Sequence, residues 1–231
     1  MPDSLSNNGH DRSYGLGVKL GLQLDITENL AFATSYAPKI KMSKLKDYSD
    51  LFADGGGFDI PADLKVGITF KPGKDFALNF DMEKMWYSDV GAVGNPFSNI
   101  FSCPTAGAGG TDLSTCLGGK NGAGFGWDDM IVYKLGGQWS SGNDWTWRLG
   151  YSFGDQPIPE TEMVFNILAP ATIEQHATFG FTKGLSSGDE FSMSFMYAFN
   201  KEISGPNAFD PTQSIYLEMK QWEVEFSYGW R

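Results

Sequence analysis

The stretch WTWRLGYSF, residues 145–153, decides the fold, because apolar and polar residues alternate in it without a break. Between its apolar residues stand Thr146, Arg148, Gly150 and Ser152. Successive side chains of a β-strand point to opposite faces, so a period of two predicts a strand with one apolar and one polar side. The apolar side of this strand would carry Trp145, Trp147, Leu149, Tyr151 and Phe153.

Eight further segments of the chain repeat this alternation. The first covers residues 15–25, and the last ends the chain at Trp230. The sequence therefore predicts an all-β protein of nine antiparallel strands. In chain order, the apolar sides of the eight segments run from Leu16 to Leu24, Leu30 to Tyr36, Leu64 to Phe70, Phe76 to Met82, Ile131 to Trp139, Ile173 to Phe181, Phe191 to Phe199 and Trp222 to Trp230.

The connections between these segments alternate between short and long. Short ones lie near residues 26–29, 71–75, 140–144 and 184–189, and long ones cover 38–60, 88–126, 154–171 and 200–213. Bacterial outer-membrane barrels have short periplasmic turns and long extracellular loops. The alternation therefore favours an antiparallel transmembrane β-barrel.

Aromatic residues cluster at the end of the strands that carries the short turns. Trp139 and Trp145 flank one short turn, Phe70 and Phe76 flank another, and Trp230 ends the last strand. Membrane barrels place aromatic girdles at the membrane interfaces. The alternative is a soluble antiparallel sandwich, which also explains the alternation but not why one face is rich in aromatics and the other in Gly, Ser and charge.

Composition narrows the classes of protein. The net charge of −11 disfavours binding to nucleic acid. A mean hydropathy of −0.26 fits a barrel, because the hydropathies of its apolar and polar residues average out along each strand. Cys103 and Cys116 share a Gly-rich stretch without a paired His, so we expect no zinc site. A local disulfide closing a long loop and two free thiols both remain open.

Four stretches of the chain stand out by their order and spacing: Tyr36–Ser43 with 51–61, Gly94–Pro96, Gly124–Met130 with 133–136, and Arg148–Ser152 with 156–159, 165–170 and His176. Together they resemble the FadL family of outer-membrane channels for long-chain fatty acids and aromatic hydrocarbons. The resemblance covers nearly the whole chain.

This resemblance implies a bacterial outer-membrane protein with a barrel of about fourteen strands and an amino-terminal hatch. Residues 1–231 would then be a single barrel domain holding the last nine strands, a fragment without the hatch and the first strands. Because the last strand of such barrels ends in the periplasm, the first of nine strands would run inward from outside, and residues 1–13 would be the remnant of an extracellular loop. The two outermost strand edges would be unpaired.

The expected function is passive uptake of long-chain fatty acids or similar hydrophobic small molecules. A hydrophobic solute needs an apolar groove outside and a cavity within. Packing of the apolar loop residues on each other, as a loop core, is the equal alternative. The candidate groove residues in the long loops are Phe97, Ile100, Phe101, Met163, Val164, Phe165, Ile167 and Leu168.

A fatty acid carboxylate also needs a partner in the lumen. Three basic residues lie on the polar side of the fifth to seventh strands, where a cation could bind the carboxylate: Lys134, Arg148 and His176. The alternative is structural ion pairing, since lumenal charges usually pair with one another. The candidate lumenal acids for such pairs are Asp81, Glu83 and Glu174.

An enzyme is not expected, because no catalytic constellation is present. Only His10 and His176 are histidines, and the adjacent Asp128 and Asp129 would point to opposite faces of a strand. We expect no cofactor and no metal. The expected partners of a monomeric barrel are a hydrophobic ligand, outer-membrane lipid and lipopolysaccharide. A general porin and a surface adhesin or structural protein remain alternatives, and the sequence does not rank fatty acid against aromatic hydrocarbon.

Overall fold

The computed structural model describes residues 4–230. Nine antiparallel strands form one sheet in chain order, and the described strands leave β1 and β9 at its two edges. The all-β prediction is confirmed. The strands are β1 (Leu20–Thr27), β2 (Leu30–Ala37), β3 (Asp63–Gly73), β4 (Phe76–Met85), β5 (Met130–Ser141), β6 (Trp145–Phe153), β7 (Gln175–Gly184), β8 (Glu190–Asn207) and β9 (Asp210–Gly229).

The long connections carry short helical turns. Three are α-helical: α1 (Ala53–Gly56), α2 (Gly91–Gly94) and α3 (Met163–Asn166). The 3-10 helices are Lys46–Tyr48, Tyr87–Asp89, Phe97–Ser102, Pro104–Ala106, Leu113–Thr115 and Glu160–Glu162. Within residues 4–230, no helix has the length and hydropathy that crossing a membrane would need.

The register places the predicted apolar sides on one continuous face. One row of paired residues crosses all nine strands on this side: Leu24, Phe32, Ile68, Phe80, Leu135, Tyr151, Ala177, Tyr197 and Trp222. The neighbouring row, on the opposite face, is Gln23, Ala33, Gly67, Asp81, Lys134, Ser152, His176, Ala198 and Gln221. We call these two sides of the sheet the outer face and the inner face.

The outer face is not covered by any other part of the described chain. Leu20 is 71% exposed and Phe226 is 64% exposed, although both belong to regular strands. A soluble sandwich would bury this face in its core, so the structure favours a lipid-facing wall over the sandwich. The aromatics near the short turns pack as a belt, in which the rings of Trp145 and Trp147 are 5.1 Å apart.

Most of the buried residues lie in the long connections, at one end of the sheet. Ile158 and Met163 pack against Leu217 of β9, with Trp127 and Ile203 around them. The chain thus has a small hydrophobic core above the sheet rather than inside it. This core positions the loops over the inner face.

The predicted loop at residues 200–213 is wrong, because β8 and β9 continue as a paired hairpin up to Asn207 and Asp210. The apolar side of β9 changes along its length, from Leu217, which is 8% exposed, to Trp222 on the other face. The upper part of the hairpin packs its inward residues on the loop core, so the lipid-facing alternation stops there. The first strand also begins later than predicted, at Leu20, and Gly15 forms only an isolated bridge with Met42.

Candidate ligand-binding site

The inner face of β5 to β8 lines a cavity of about 620 Å³. Its floor includes Gly136 and Gly150, which are direct partners on β5 and β6. A Cβ atom on Gly150 would lie 2.5 Å from Oγ1 of Thr178, so a side chain there would clash with the threonine that lines the cavity. The sequence Arg148-Leu-Gly150 thus places a long cation beside a bare stretch of backbone.

Arg148 is exposed to this cavity and bound only by neutral groups. Its Nε donates to Oε1 of Gln138 at 2.9 Å, and its Nη1 donates to Oγ1 of Thr182 at 2.8 Å. No carboxylate of the described chain lies within 4.0 Å of the guanidinium. A guanidinium has five donor hydrogens in a planar fork, so donors are left over for an anionic ligand.

Lys134, unlike Arg148, belongs to an ion-pair network. Its Nζ donates to Oε2 of Glu83 at 2.7 Å, and the other carboxylate oxygen of Glu83 is 2.7 Å from Nζ of Lys65. Glu83 thus bridges two lysines of the inner face. The lysine that sequence reasoning placed with Arg148 already has its counterion.

His176 lies in the same row of the sheet as Lys134, with Ser152 between them. Its Nδ1 is 3.3 Å from Oγ of Ser152, a contact in which either group can donate, depending on the tautomer. Arg148 is four residues from Ser152 along β6, a separation of about 13 Å. The three candidate cations therefore do not converge on one point. Glu174, a candidate acid, binds Nζ of Lys201 at 2.8 Å instead.

The two apolar loop segments meet above the inner face. The ring of Phe97 is 4.8 Å from that of Phe165 and 6.0 Å from that of Phe101. Sequence reasoning missed Phe209, at the tip of the β8–β9 hairpin, whose ring is 5.4 Å from Phe97. We call Phe97, Phe101, Phe165 and Phe209 the loop aromatic cluster.

The candidate groove residues divide into buried and accessible ones. Phe97 and Met163 are fully buried, as the loop-core alternative requires. Ile167 and Leu168 are exposed. The remaining candidates are half-buried: Ile100, Phe101, Val164 and Phe165. The segments thus form a buried base with an accessible apolar edge.

A buried polar pair ties the loop segments together. Asn166 is completely buried, and its Nδ2 donates to the carbonyl oxygens of Phe125 and Glu162, both at 2.7 Å. Its Oδ1 accepts from Nε1 of Trp127 at 2.6 Å. The buried carboxylate of Glu162 accepts from the backbone N–H of Phe97 at 2.7 Å. The sequence gives no period or motif that would identify these long-range bonds.

Cys103 and Cys116 are joined by a disulfide across 13 positions of the loop between β4 and β5. The bond closes the segment that follows Phe101. Within residues 4–230, no group of three or more His, Cys, Asp or Glu side chains is placed to hold a metal ion.

A protein-family model described as outer membrane protein transport protein (OMPP1/FadL/TodX) matches residues 3–207. The comparison with curated proteins finds no match. The family match includes β1 to β8 and the three long connections between them.

Solved structures of membrane channels are similar in fold. The toluene transporter TodX of Pseudomonas putida has a TM-score of 0.58 at 16% identity, over 94% of this chain and 49% of that chain. A FadL homologue of Pseudomonas aeruginosa has a TM-score of 0.59 at 13% identity, over 92% of this chain and 50% of that chain. The chain spans about half the length of the solved structures it matches.

Proposed function

This chain belongs to the OMPP1/FadL/TodX family of outer-membrane transport proteins and is an outer-membrane β-barrel protein, and from that premise we propose that it forms part of a passive uptake channel for long-chain fatty acids or similar hydrophobic small molecules. Two of the structurally similar proteins are toluene transporters, so an aromatic hydrocarbon is the second substrate class. The proposal has two parts, an outer capture surface and a lumenal partner for the ligand.

The capture surface is the accessible edge of the loop aromatic cluster. Phe209 is 65% exposed, and the neighbouring segment exposes Ile167 and Leu168 as well. Large apolar side chains exposed to water on a loop tip are costly unless they bind something apolar. Phe97 and Met163 support this surface from below, because both are buried in the packing that joins the loops. A hydrophobic solute arriving from outside would meet this edge first.

The lumenal partner is Arg148, and this residue is the observation that carries the fatty acid proposal. Its guanidinium is the inner-face cation that projects over the cavity with neutral partners only. Charge-assisted hydrogen bonds to a carboxylate are about twice as strong as neutral ones. A fatty acid would exchange the Gln138 and Thr182 contacts for a bidentate carboxylate contact, whereas a hydrocarbon would gain nothing from the charge.

The test is binding of oleate and of toluene to the full-length protein in detergent, with Arg148→Ala, Arg148→Lys and Lys134→Ala variants. Loss of a charge-assisted contact costs about 1.5–3 kcal/mol, so we expect oleate to bind about 10- to 100-fold more weakly to Arg148→Ala. Toluene binding should not change. Lys134→Ala is the matched control, because Glu83 already occupies that lysine.

Three outcomes are informative. Unchanged oleate affinity in Arg148→Ala would remove this residue from the ligand site. Equal losses for oleate and toluene would indicate a distorted lumen rather than a lost charge contact. If the wild-type protein bound neither ligand but let sugars through in liposome swelling, the general porin would replace the hydrophobic channel.

The same proposal includes the environment of the protein. We propose that the complete barrel acts as a monomer that contacts outer-membrane lipid and lipopolysaccharide. The family consists of transport proteins, so we propose no catalytic activity and no cofactor for this chain.

A further inference from the structure

At the loop end of β2 to β4, the outer face carries a lysine beside two aromatic rings. Lys84 pairs with Leu64, which pairs with Tyr36, so the three side chains lie in one outward row. Nζ of Lys84 is 5.0 Å from the ring centroid of Trp86. The ring of Trp86 stands edge-on to that of Tyr36 at 6.3 Å. A cation with an aromatic pair therefore borders the lipid-facing wall at the end that carries the long loops.

The charge of Lys84 has no acidic partner in the part of the chain that the structure describes. No carboxylate there lies within 4.0 Å of its Nζ. The inner-face lysines at the same height differ, since Lys65 lies 2.7 Å from Glu83. A cation on an outward face is costly at hydrocarbon depth and is stable only near polar headgroups. Its position therefore marks the headgroup layer.

A basic segment follows β2 at this rim. Lys39, Lys41, Lys44 and Lys46 are four of the chain's 17 Lys and Arg residues, in a chain of net charge −11. All four are exposed. Nζ of Lys39 donates to the carbonyl oxygen of Asp89 at 2.9 Å, which draws this lysine to the turn that follows Trp86.

Lys41 extends the positive charge beyond Lys39. The residues on either side of Lys41, Ile40 and Met42, form bridges with Ile60 and Gly15, which holds this segment extended. Alternate residues of an extended chain point to the same side, so Lys39 and Lys41 share one side. Nζ of Lys44 lies 3.2 Å from the carboxylate of Asp54, and Lys46 interacts electrostatically with Asp11. Lys39, Lys41 and Lys84 therefore carry the remaining positive charge of the rim.

We propose that Lys84, Lys39 and Lys41 bind the phosphate groups of lipopolysaccharide in the outer leaflet, with Tyr36 and Trp86 packed on the adjoining lipid. The long loops mark the extracellular side of an outer-membrane barrel, and the outer leaflet there presents phosphorylated lipid. Clustered lysines at a membrane surface bind anionic headgroups, and Trp and Tyr rings settle at the same depth. The proposal rests on the lipopolysaccharide contact proposed above, for which it names the site, and it does not depend on the transport of a hydrophobic ligand.

The chain offers a matched control at the opposite end of the wall. Lys183 pairs with Trp145 in the register of the sheet, and its Nζ lies 5.5 Å from the Trp145 ring. Lys183 therefore has a similar lysine–ring contact to that of Lys84, although its ring comes from the neighbouring strand, and it lies beside the short turns, on the periplasmic side. If a lysine on an aromatic ring only anchors the barrel at an interface, both residues should behave alike.

The experiment uses the full-length protein purified from outer membranes and stripped of lipid by detergent exchange. Binding of bisphosphorylated lipid A and of dephosphorylated lipid A is measured for wild type, the combined Lys39→Gln, Lys41→Gln and Lys84→Gln variant, and Lys183→Gln. Each surface lysine contributes about fivefold to binding of anionic lipid, so we expect the combined variant to bind bisphosphorylated lipid A at least about tenfold more weakly. Lys183→Gln should bind like wild type.

The same losses should not appear with dephosphorylated lipid A. Replacement of the three residues by Arg should restore binding, which separates a charge effect from misfolding. Unchanged affinity in the combined variant, or an equal loss in Lys183→Gln, would overturn the proposal. Retention of oleate binding by the combined variant would show that the lipid site and the proposed channel are independent.

Discussion

Replacing Asn166 with Ala should loosen the extracellular loops without unfolding the sheet. Asn166 is fully buried and makes three hydrogen bonds, to Phe125, Trp127 and Glu162, at 2.6–2.7 Å. The substitution leaves the two carbonyl oxygens and the indole N–H without their partner. Each buried polar group without a partner costs about 1–3 kcal/mol, so we expect a local loss of about 3 kcal/mol.

The loss should appear in hydrogen exchange of the loops. The backbone amides of Phe125 and Trp127 donate to the carbonyl oxygens of Ala92 and Val93, so they report whether residues 125–127, which Asn166 also holds, stay in place. A local loss of about 3 kcal/mol corresponds to exchange about 100-fold faster at these amides. Amides in the middle of β6 should exchange as in wild type.

Asn99→Ala is the matched control, because Asn99 makes a single exposed hydrogen bond, from its Nδ2 to the carbonyl oxygen of Asn121 at 3.0 Å. We expect this variant to change exchange at Phe125 and Trp127 by less than about tenfold. Equal protection of these amides in Asn166→Ala and wild type would refute the reasoning, and so would equal losses in both variants.

Three further predictions concern the same loops. Replacing Cys103 and Cys116 with Ser should weaken the loop by about 3 kcal/mol, seen as faster proteolysis between residues 103 and 116 while the barrel melts at an unchanged temperature. Gly205→Ala should displace the β8–β9 hairpin, since its Cβ would clash with the carbonyl oxygen of Glu160. Faster hydrogen exchange at Ile203 and Leu217 would report this displacement. Gly142→Ala, whose Cβ would lie in open space, should not change the exchange of these amides. Burial and the charge of Glu83 raise the pKa of Tyr87. The folded protein therefore keeps this phenol protonated at pH values where the unfolded chain has lost the proton, so stability should fall as the pH rises above about 10. Tyr87→Phe should reduce this fall and remove one late step from the tyrosinate absorbance titration.

The sheet could be predicted from sequence because each strand carries its own signal. The alternation from Trp145 to Phe153 and from Phe191 to Phe199 is local, and it reflects lipid on one side and water on the other. The register then aligned these faces across nine strands as expected, with Leu135 opposite Tyr151 and Tyr197 opposite Trp222. The aromatic belt near the short turns follows from the same local pattern.

The upper hairpin could not be predicted in this way, because its environment differs from that of the membrane. Ile215, Leu217 and Met219 fall on odd positions, whereas the apolar residues from Trp222 to Trp230 fall on even positions. The strand does not end at this change, although the alternation is interrupted there. The inward face of the upper stretch packs on the loop core, whereas the outward face of the lower stretch meets lipid. The local pattern of residues does not show which of these two neighbours will be present.

The site was only partly predictable, for a related reason. Residue type and strand side were enough to place Lys134, Arg148 and His176 on the inner face. Their pairing depends on which residues lie across the neighbouring strand, so the Glu83 contact of Lys134 and the neutral contacts of Arg148 follow from the register alone. Phe209 and Asn166 carry no pattern of their own, and tertiary contacts decide their roles.

The change of apolar side along β9 sets how deep the protein sits in the bilayer. From Trp222 to Trp230 the lipid-facing residues span nine positions, close to the length that a tilted strand needs to cross the hydrocarbon layer. Above Trp222 the strand is free to lengthen by pairs of residues without shifting the wall below. A longer β8–β9 hairpin would therefore raise the loops of this chain without changing the anchoring depth of the strands below.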